Sequence, residues 1–399
     1  MKSLRAVLLG YGVRGRVYGE YILAHPEQFS LVAIADPIAK REDVTAFGNA
    51  PLFQNWKDAL EVEADVAIIA LPDLLHKDAA IDALGRGLDI LLEKPLGCSL
   101  EECDEILAAQ KKSGRLVLTG YVLRFSRYYR ELAEVLRSRK IGEIMAIRHL
   151  VAVGYAKAAH AFCRGNWGKE GDGASELVQK CIHDFDLIEW WLSSRKLIAV
   201  SSFGSLNHWK KENAPANSAA RCIDCPDDVK KACPFDAEKL YVESDDLRYH
   251  FAERNNRAMR KVVDESRYGR CVYACNNDCV DHQSVLMEYE GGLTASLEME
   301  NFSNSRRRTT RFFGTKGEIY ADGEKIEIMP FGSKSVEIYP MAASSAHGGG
   351  DREIMAEFYR LAVKVSPARY TALLEAALES HTVAFLAEVS RKEHRMVVA

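Results

Sequence analysis

Six residues near the start of the chain constrain its fold more than any others: Gly10-Tyr11-Gly12-Val13-Arg14-Gly15, placed directly after the apolar run Ala6 to Leu9. Between a strand and a helix, the first glycine permits a tight turn and the second lets a pyrophosphate approach the backbone. The third allows close helix-strand packing, and the helix N-terminus turns its N–H groups toward the anion. The glycine spacing alone is weak, but here an acidic residue follows where a second strand ends, in Ile34-Ala35-Asp36-Pro37. The Asp36 carboxylate suits the adenosine ribose hydroxyls and repels a 2′-phosphate. Residues Gly10, Tyr11, Gly12, Val13, Arg14, Gly15 and Asp36 are therefore expected to bind a dinucleotide, NAD in preference to NADP. Lys40 and Arg41 nearby keep NADP open as the alternative, and an ordinary tight turn is the bland reading of the glycines.

The first third of the chain alternates short β-branched runs (Ala6 to Leu9, Leu31 to Ala35, Val66 to Ala70, Ile90 to Leu92, Leu116 to Thr119) with amphipathic stretches. Such alternation predicts βαβ units around a parallel sheet covered on both faces. Lys77 to Arg86 reads as a helix, and Ser99 as an N-cap three residues ahead of Glu102. After Tyr121 come a helix over Arg127 to Arg139 and an extended run Ile144 to Val153. Alternating segments follow at Ser284 to Tyr289, Thr294 to Met299 and Glu318 to Tyr320, separated by glycine turns. The predicted fold class is α/β: a Rossmann domain over 1–121 and an α+β domain with a large, mostly antiparallel sheet over 122–399. A polar, cysteine-bearing stretch at about 207–281 reads as an insertion, and Asp351 to Arg395 as a closing helical region.

A chain of 399 residues, 47% hydrophobic, is long enough for two domains. A net charge of -4 with interspersed signs argues against a nucleic-acid partner, and no apolar segment is long enough to span a membrane. The short apolar start runs straight into the glycine turn, unlike a signal peptide. The ten cysteines then point to a reducing cytoplasm.

Further motifs stand in a telling order: Ile69-Ala70-Leu71-Pro72 with His76, then Glu93-Lys94-Pro95, then His183-Asp184-Phe185-Asp186. Together with the glycine turn and the closing Ser380-His381 helix, the chain resembles the glucose-fructose oxidoreductase and inositol dehydrogenase family (Gfo/Idh/MocA) over nearly its whole length. The resemblance implies that Leu71, Pro72, His76, Glu93 and Lys94 adjoin the cofactor. It makes Lys94 and His183 the catalytic pair: an ammonium that favours the alkoxide as hydride leaves, and an imidazole that takes the proton. Tyr121 and Arg124 correspond to the family's substrate-lining aromatic and arginine. Where the family has an aspartate one turn before the histidine, this chain has Gln179 followed by Lys180. Glutamine cannot take a proton, so both are read as substrate-binding and the usual relay is in question. The bond before Pro95 is open to the cis form, and His347 is a candidate for a loop at the substrate. The resemblance also implies a homodimer or homotetramer.

Cys222-Ile223-Asp224-Cys225, Cys233, Cys271 and Cys275 lie outside the family pattern. The C-x-x-C spacing lets two thiolates reach one metal, so a structural zinc on Cys222, Cys225, Cys233 and one of Cys271 or Cys275 is expected. An iron-sulfur cluster and plain thiols are the alternatives. The function these features imply is NAD(P)-dependent hydride transfer at a hydroxyl carbon of a sugar, cyclitol or sugar derivative. The rivals are an NAD-retaining enzyme that cleaves or isomerises a glycoside by transient oxidation, and a non-catalytic dinucleotide or sugar sensor.

Overall fold

A computed structural model describes residues 3–192, 195–251, 253–333, 336–340, 346–364 and 369–399. They form two compact units, one of residues 1–140, 182–194 and 339–385 and one of 141–181, 195–338 and 386–399.

The first unit is built on a parallel sheet. Its strands are β1 (Leu4–Leu9), β2 (Phe29–Ala35), β3 (Leu52–Phe53), β4 (Val66–Ile69), β5 (Asp89–Leu92) and β6 (Val117–Thr119), in the order β3-β2-β1-β4-β5-β6. Continuous apolar runs such as Val66–Ile69, buried at every residue, form strands because helices shield both faces. The helices of this part are α1 (Val13–Ala24), α2 (Trp56–Ala59), α3 (His76–Gly85), α4 (Leu100–Ser113) and α5 (Arg127–Arg137). The Ser99 side chain caps α4 at the Glu102 N–H, 3.3 Å away, while Glu102 accepts from the Cys98 N–H at 2.7 Å.

The unit reaches past residue 121, where the sequence placed its boundary, because the core under β1 is completed from far along the chain. Leu8, Tyr18 and Phe29 share one buried cluster with Val122, Ile354 and Phe358. The Phe29 and Phe358 rings stack at 6.3 Å.

The second unit carries a nine-stranded sheet in the order β14-β13-β12-β11-β7-β10-β9-β8-β15. Its strands are β7 (Ile144–Ala152), β8 (Leu197–Ser205), β9 (His282–Tyr289), β10 (Leu293–Glu300), β11 (Arg308–Gly314), β12 (Gly317–Ala321), β13 (Lys325–Pro330), β14 (Glu337–Pro340) and β15 (Val397–Val398). Strand β9 alternates buried Gln283, Val285, Met287 and Tyr289 with exposed residues, as expected for a sheet with one face on the core. β10 pairs parallel with β7 and antiparallel with β9. The insertion folds into short turns with α6 (Tyr155–Ala158) beside it, α8 (Asp227–Ala232) and α9 (Asn256–Glu265), while α7 (Glu176–Trp191), α10 (Gly350–Lys364) and α11 (Tyr370–Glu393) are the longer helices of the later chain. No described helix is long and apolar enough to cross a membrane.

Candidate active site

The three glycines of the turn are needed for three different reasons. Gly10 has φ +91°, and a Cβ there would stand 2.3 Å from the Ala70 carbonyl oxygen. A Cβ on Gly15 would stand 2.0 Å from the Gly10 carbonyl oxygen. At Gly12 a Cβ would meet nothing within 4 Å, so the packing of the chain does not demand glycine at that position. What Gly12 leaves open is the approach to the N-terminus of α1, whose first N–H groups have no side-chain cap. Space and oriented donors together fit a pyrophosphate. Asp36 stands against the same turn: one oxygen accepts from the Tyr11 N–H and the other from the Ile38 and Ala39 N–H groups, all at 2.8 Å. The Tyr11 ring meets Phe47 edge-on at 5.9 Å, and Val13 is half-buried at the start of α1. These residues fit the dinucleotide that the turn implies.

Two residues expected at the cofactor are used differently. Arg14 donates through Nε to Glu93 at 2.6 Å and through Nη2 to the Tyr18 hydroxyl at 2.7 Å, and pairs with Asp351 at 2.8 Å. Glu93, buried, also accepts from the Tyr18 hydroxyl. Burial alone would raise the Glu93 pKa, but the Arg14 and Lys94 charges outweigh it and hold it below the usual range. Both side chains thus belong to one network with Tyr18 and Asp351.

His76 is likewise buried, with Nδ1 2.6 Å from the Pro95 carbonyl and Nε2 2.8 Å from the Leu71 carbonyl. It clamps the Leu71-Pro72 loop to the Lys94-Pro95 loop. The Lys94-Pro95 bond is cis. On its other side the Lys94 loop is held by the Leu96 N–H, which donates to His381 Nε2 at 2.9 Å. Lys94 itself is half-buried.

In the sequence His381 stands out only as part of the closing helix, yet it joins the elements of the candidate site. With Nε2 accepting from Leu96, its proton sits on Nδ1, which faces the Tyr121 hydroxyl at 2.8 Å and the Ala377 carbonyl at 3.0 Å. Burial pushes its pKa down to about 4. The Tyr121 ring in turn lies 6.2 Å from that of His183. His183, in α7, is buried with 7% exposure. The first unit therefore brings the Lys94 loop, Tyr121 and His183 into one chain of contacts through His381.

Arg124 grips Asp186, donating through Nε at 2.7 Å and pairing through Nη2 at 2.7 Å, and its guanidinium lies 5.7 Å from the Trp190 ring. Burial pushes the Asp186 carboxyl up to about 6, against the pull of Arg124. This fork fixes Arg124 against α7 through Nε and Nη2. Gln179, buried, and Lys180, half-buried, lie in the first turns of α7, within the second unit. The side chain of His347 lies outside the described residues.

The expected zinc is not supported. Cys222, Cys225, Cys233 and Cys271 do line one small cavity, but Cys275 lines another. Among the described residues no three His, Cys, Asp or Glu side chains are grouped so that they could hold a metal ion. The same lack of grouping counts against an iron-sulfur cluster.

Residues 4–121 match the oxidoreductase family with the NAD-binding Rossmann fold. The protein YteT of Bacillus subtilis (strain 168) is 23% identical over 87% of each chain. An inositol 2-dehydrogenase of Corynebacterium glutamicum (strain R) is 29% identical over 49% of this chain and 56% of its own length. Among solved structures, myo-inositol 2-dehydrogenase from Lactobacillus plantarum superposes with a TM-score of 0.68 at 17% identity, covering 100% of this chain and 99% of that one. That likeness speaks for the fold.

Proposed function

We propose that this chain, whose residues 4–121 match the NAD-binding Rossmann fold of the oxidoreductase family, is a dehydrogenase of the Gfo/Idh/MocA type that oxidises a secondary hydroxyl of a sugar or cyclitol, with Lys94 and His183 serving that hydroxyl. The observation that carries this reading is the anchoring of Lys94: its loop is clamped by His76 on one side and His381 on the other, and His381 also sets Tyr121 beside His183. Such double support is what positioning of a reacting group needs.

When bound, NAD supplies the hydride acceptor. The Lys94 ammonium donates a hydrogen bond to the substrate oxygen and stabilises the negative charge that grows there. His183 takes the hydroxyl proton. Gln179 takes no proton, so His183 acts without a carboxylate relay from that position. Tyr121 completes the substrate contacts in this reading. NAD is favoured over NADP because Asp36 stands at the turn. The two terminal nitrogens of Arg41 are also already bonded to the Ala50 and Gly48 carbonyls, leaving less for a 2′-phosphate. The inositol dehydrogenase named above favours a cyclitol as the first substrate to try.

A homodimer or homotetramer in the cytoplasm completes the proposal. Its support is the outer face of the nine-stranded sheet, where Met145, Leu150, Phe203 and Leu286 are exposed.

The test is Lys94→Met, assayed by reduced-nicotinamide absorbance across a panel of cyclitols and sugars, with NAD binding measured separately. Turnover should fall by about 100-fold or more while NAD affinity stays within a few-fold. Unchanged turnover would end the proposal. Product formed without net NADH would favour the cofactor-retaining rival.

A further inference from the structure

The second unit holds a cavity of about 330 Å³ lined by four cations, Arg164, Lys169, Arg267 and Arg270, against the single carboxylate of Asp172. In a chain of net charge -4 this is a local reversal of sign. Gathering like charges is unfavourable unless something opposite shares the space.

Arg164 makes the case specific. It is 2% exposed. Its Nε donates to the Arg270 carbonyl at 2.7 Å, and its Nη2 to the Phe235 carbonyl at 2.6 Å and to the Cys222 sulfur at 3.4 Å. The Tyr241 side chain also lies against the guanidinium, its ring 5.9 Å away; none of these partners is a carboxylate, and Nη1 makes no well-formed hydrogen bond among the described residues. Arg164 lines both this cavity and the smaller cysteine-lined one; isolating a guanidinium from water without a carboxylate partner costs several kcal/mol, and of the two cavities only this one gathers further cations that an anion would serve at once. The neighbouring arginines are also bonded to neutral acceptors, Arg267 to the Asn166 side chain and Arg270 to the Cys275 carbonyl. Each keeps further N–H donors for a ligand.

We propose that this cavity is an anion site that takes the phosphoryl group of a small metabolite. Guanidinium forks match the tetrahedral and planar oxyanions they bind bidentately, and a dianion answers this surplus of positive charge better than a monoanion. The volume exceeds what a lone phosphate fills and falls at the lower end of metabolite pockets, so the phosphoryl group arrives on a carrier of sugar size. The cavity is not part of the glycine turn, and the proposal does not rest on the dehydrogenase reading.

The experiment uses the full chain saturated with NAD, so that the glycine turn is blocked, and titrates inorganic phosphate and then pyrophosphate by calorimetry, with acetate as the monoanion control. Phosphate or pyrophosphate should bind at millimolar concentration or tighter, and raise the melting temperature, where acetate does neither. Arg267→Gln and Lys169→Gln, both at exposed positions, should each weaken binding by about tenfold while leaving NAD affinity unchanged. Gly12→Ala, titrated without NAD so that the turn is open, should leave phosphate binding as it is. Absence of phosphate binding, equal binding by acetate, or unaltered binding in both variants would overturn the proposal. Loss of binding in Gly12→Ala would place the anion at the dinucleotide turn instead, and would overturn it equally.

Discussion

His381 offers the sharpest test of how the site is held together. The imidazole accepts the Leu96 N–H at Nε2, so protonating that nitrogen breaks the bond and places a charge in a site with no exposure. Its pKa is depressed from 6.5 to about 4. At about 1.4 kcal/mol per tenfold, this is on the order of 3 kcal/mol of stability. A base whose folded pKa is lowered contributes that stability above its unfolded pKa. The contribution is full above about pH 6.5 and disappears as pH falls toward 4. His381→Gln supplies a carbonyl that can accept from Leu96 and cannot be protonated in this range. It should cost about 1–2 kcal/mol at pH 7 and flatten the acid limb. His381→Leu leaves the buried Leu96 N–H without an acceptor and should cost about 3 kcal/mol at pH 7. Urea denaturation from pH 4 to pH 8 with a common m-value reads all three proteins. If the glutamine variant loses stability in parallel with the parent between pH 6.5 and 4, or if leucine is as stable as glutamine, the account of His381 is wrong.

The glycine turn predicts a split between two alanine variants. Gly12→Ala should change stability by less than about 0.5 kcal/mol, since its Cβ meets nothing, but weaken NAD binding about tenfold or more. Gly15→Ala drives a Cβ to 2.0 Å from a carbonyl oxygen and should cost about 3 kcal/mol of stability, read by thermal unfolding without cofactor. Glu176, with 1% exposure, has its pKa pushed well above 4.5 by burial. Its protonated form is favoured in the fold, so the stability it contributes is present below about 4.5 and is lost as pH rises through the folded value. Glu176→Gln should therefore gain on the parent between pH 5 and pH 9 in urea denaturation, and an equal difference at both pH values would refute the assignment.

Much of the first unit was legible because its strands are continuous apolar runs and its turn has a chemistry that few other turns share. Strand β3, Leu52–Phe53, escaped because two residues carry no period. The parallel pairing of β10 with β7 escaped because nothing local encodes which distant strand will lie alongside. The motifs name the Lys94 loop, Tyr121 and His183 as candidates, but not the contacts that fix them. Arg14 and Glu93 each look available to a ligand when read alone; their mutual bond spans 79 residues and becomes visible only once the chain is folded. His381 carried a faint signal, a histidine amid the alanines of an apolar helix face. Its partners, Leu96 and Tyr121, lie 285 and 260 residues away.

The stacking of Phe358 on Phe29 has a consequence for how the protein is made. A ribosome releases the glycine turn and all six parallel strands long before it reaches α10, so the hydrophobic patch around Phe29 and Leu8 must wait for a helix from the far end of the message. A fragment ending at residue 121 carries every strand of the parallel sheet, yet it should be sticky and short-lived, because the piece that covers that patch has not been synthesised.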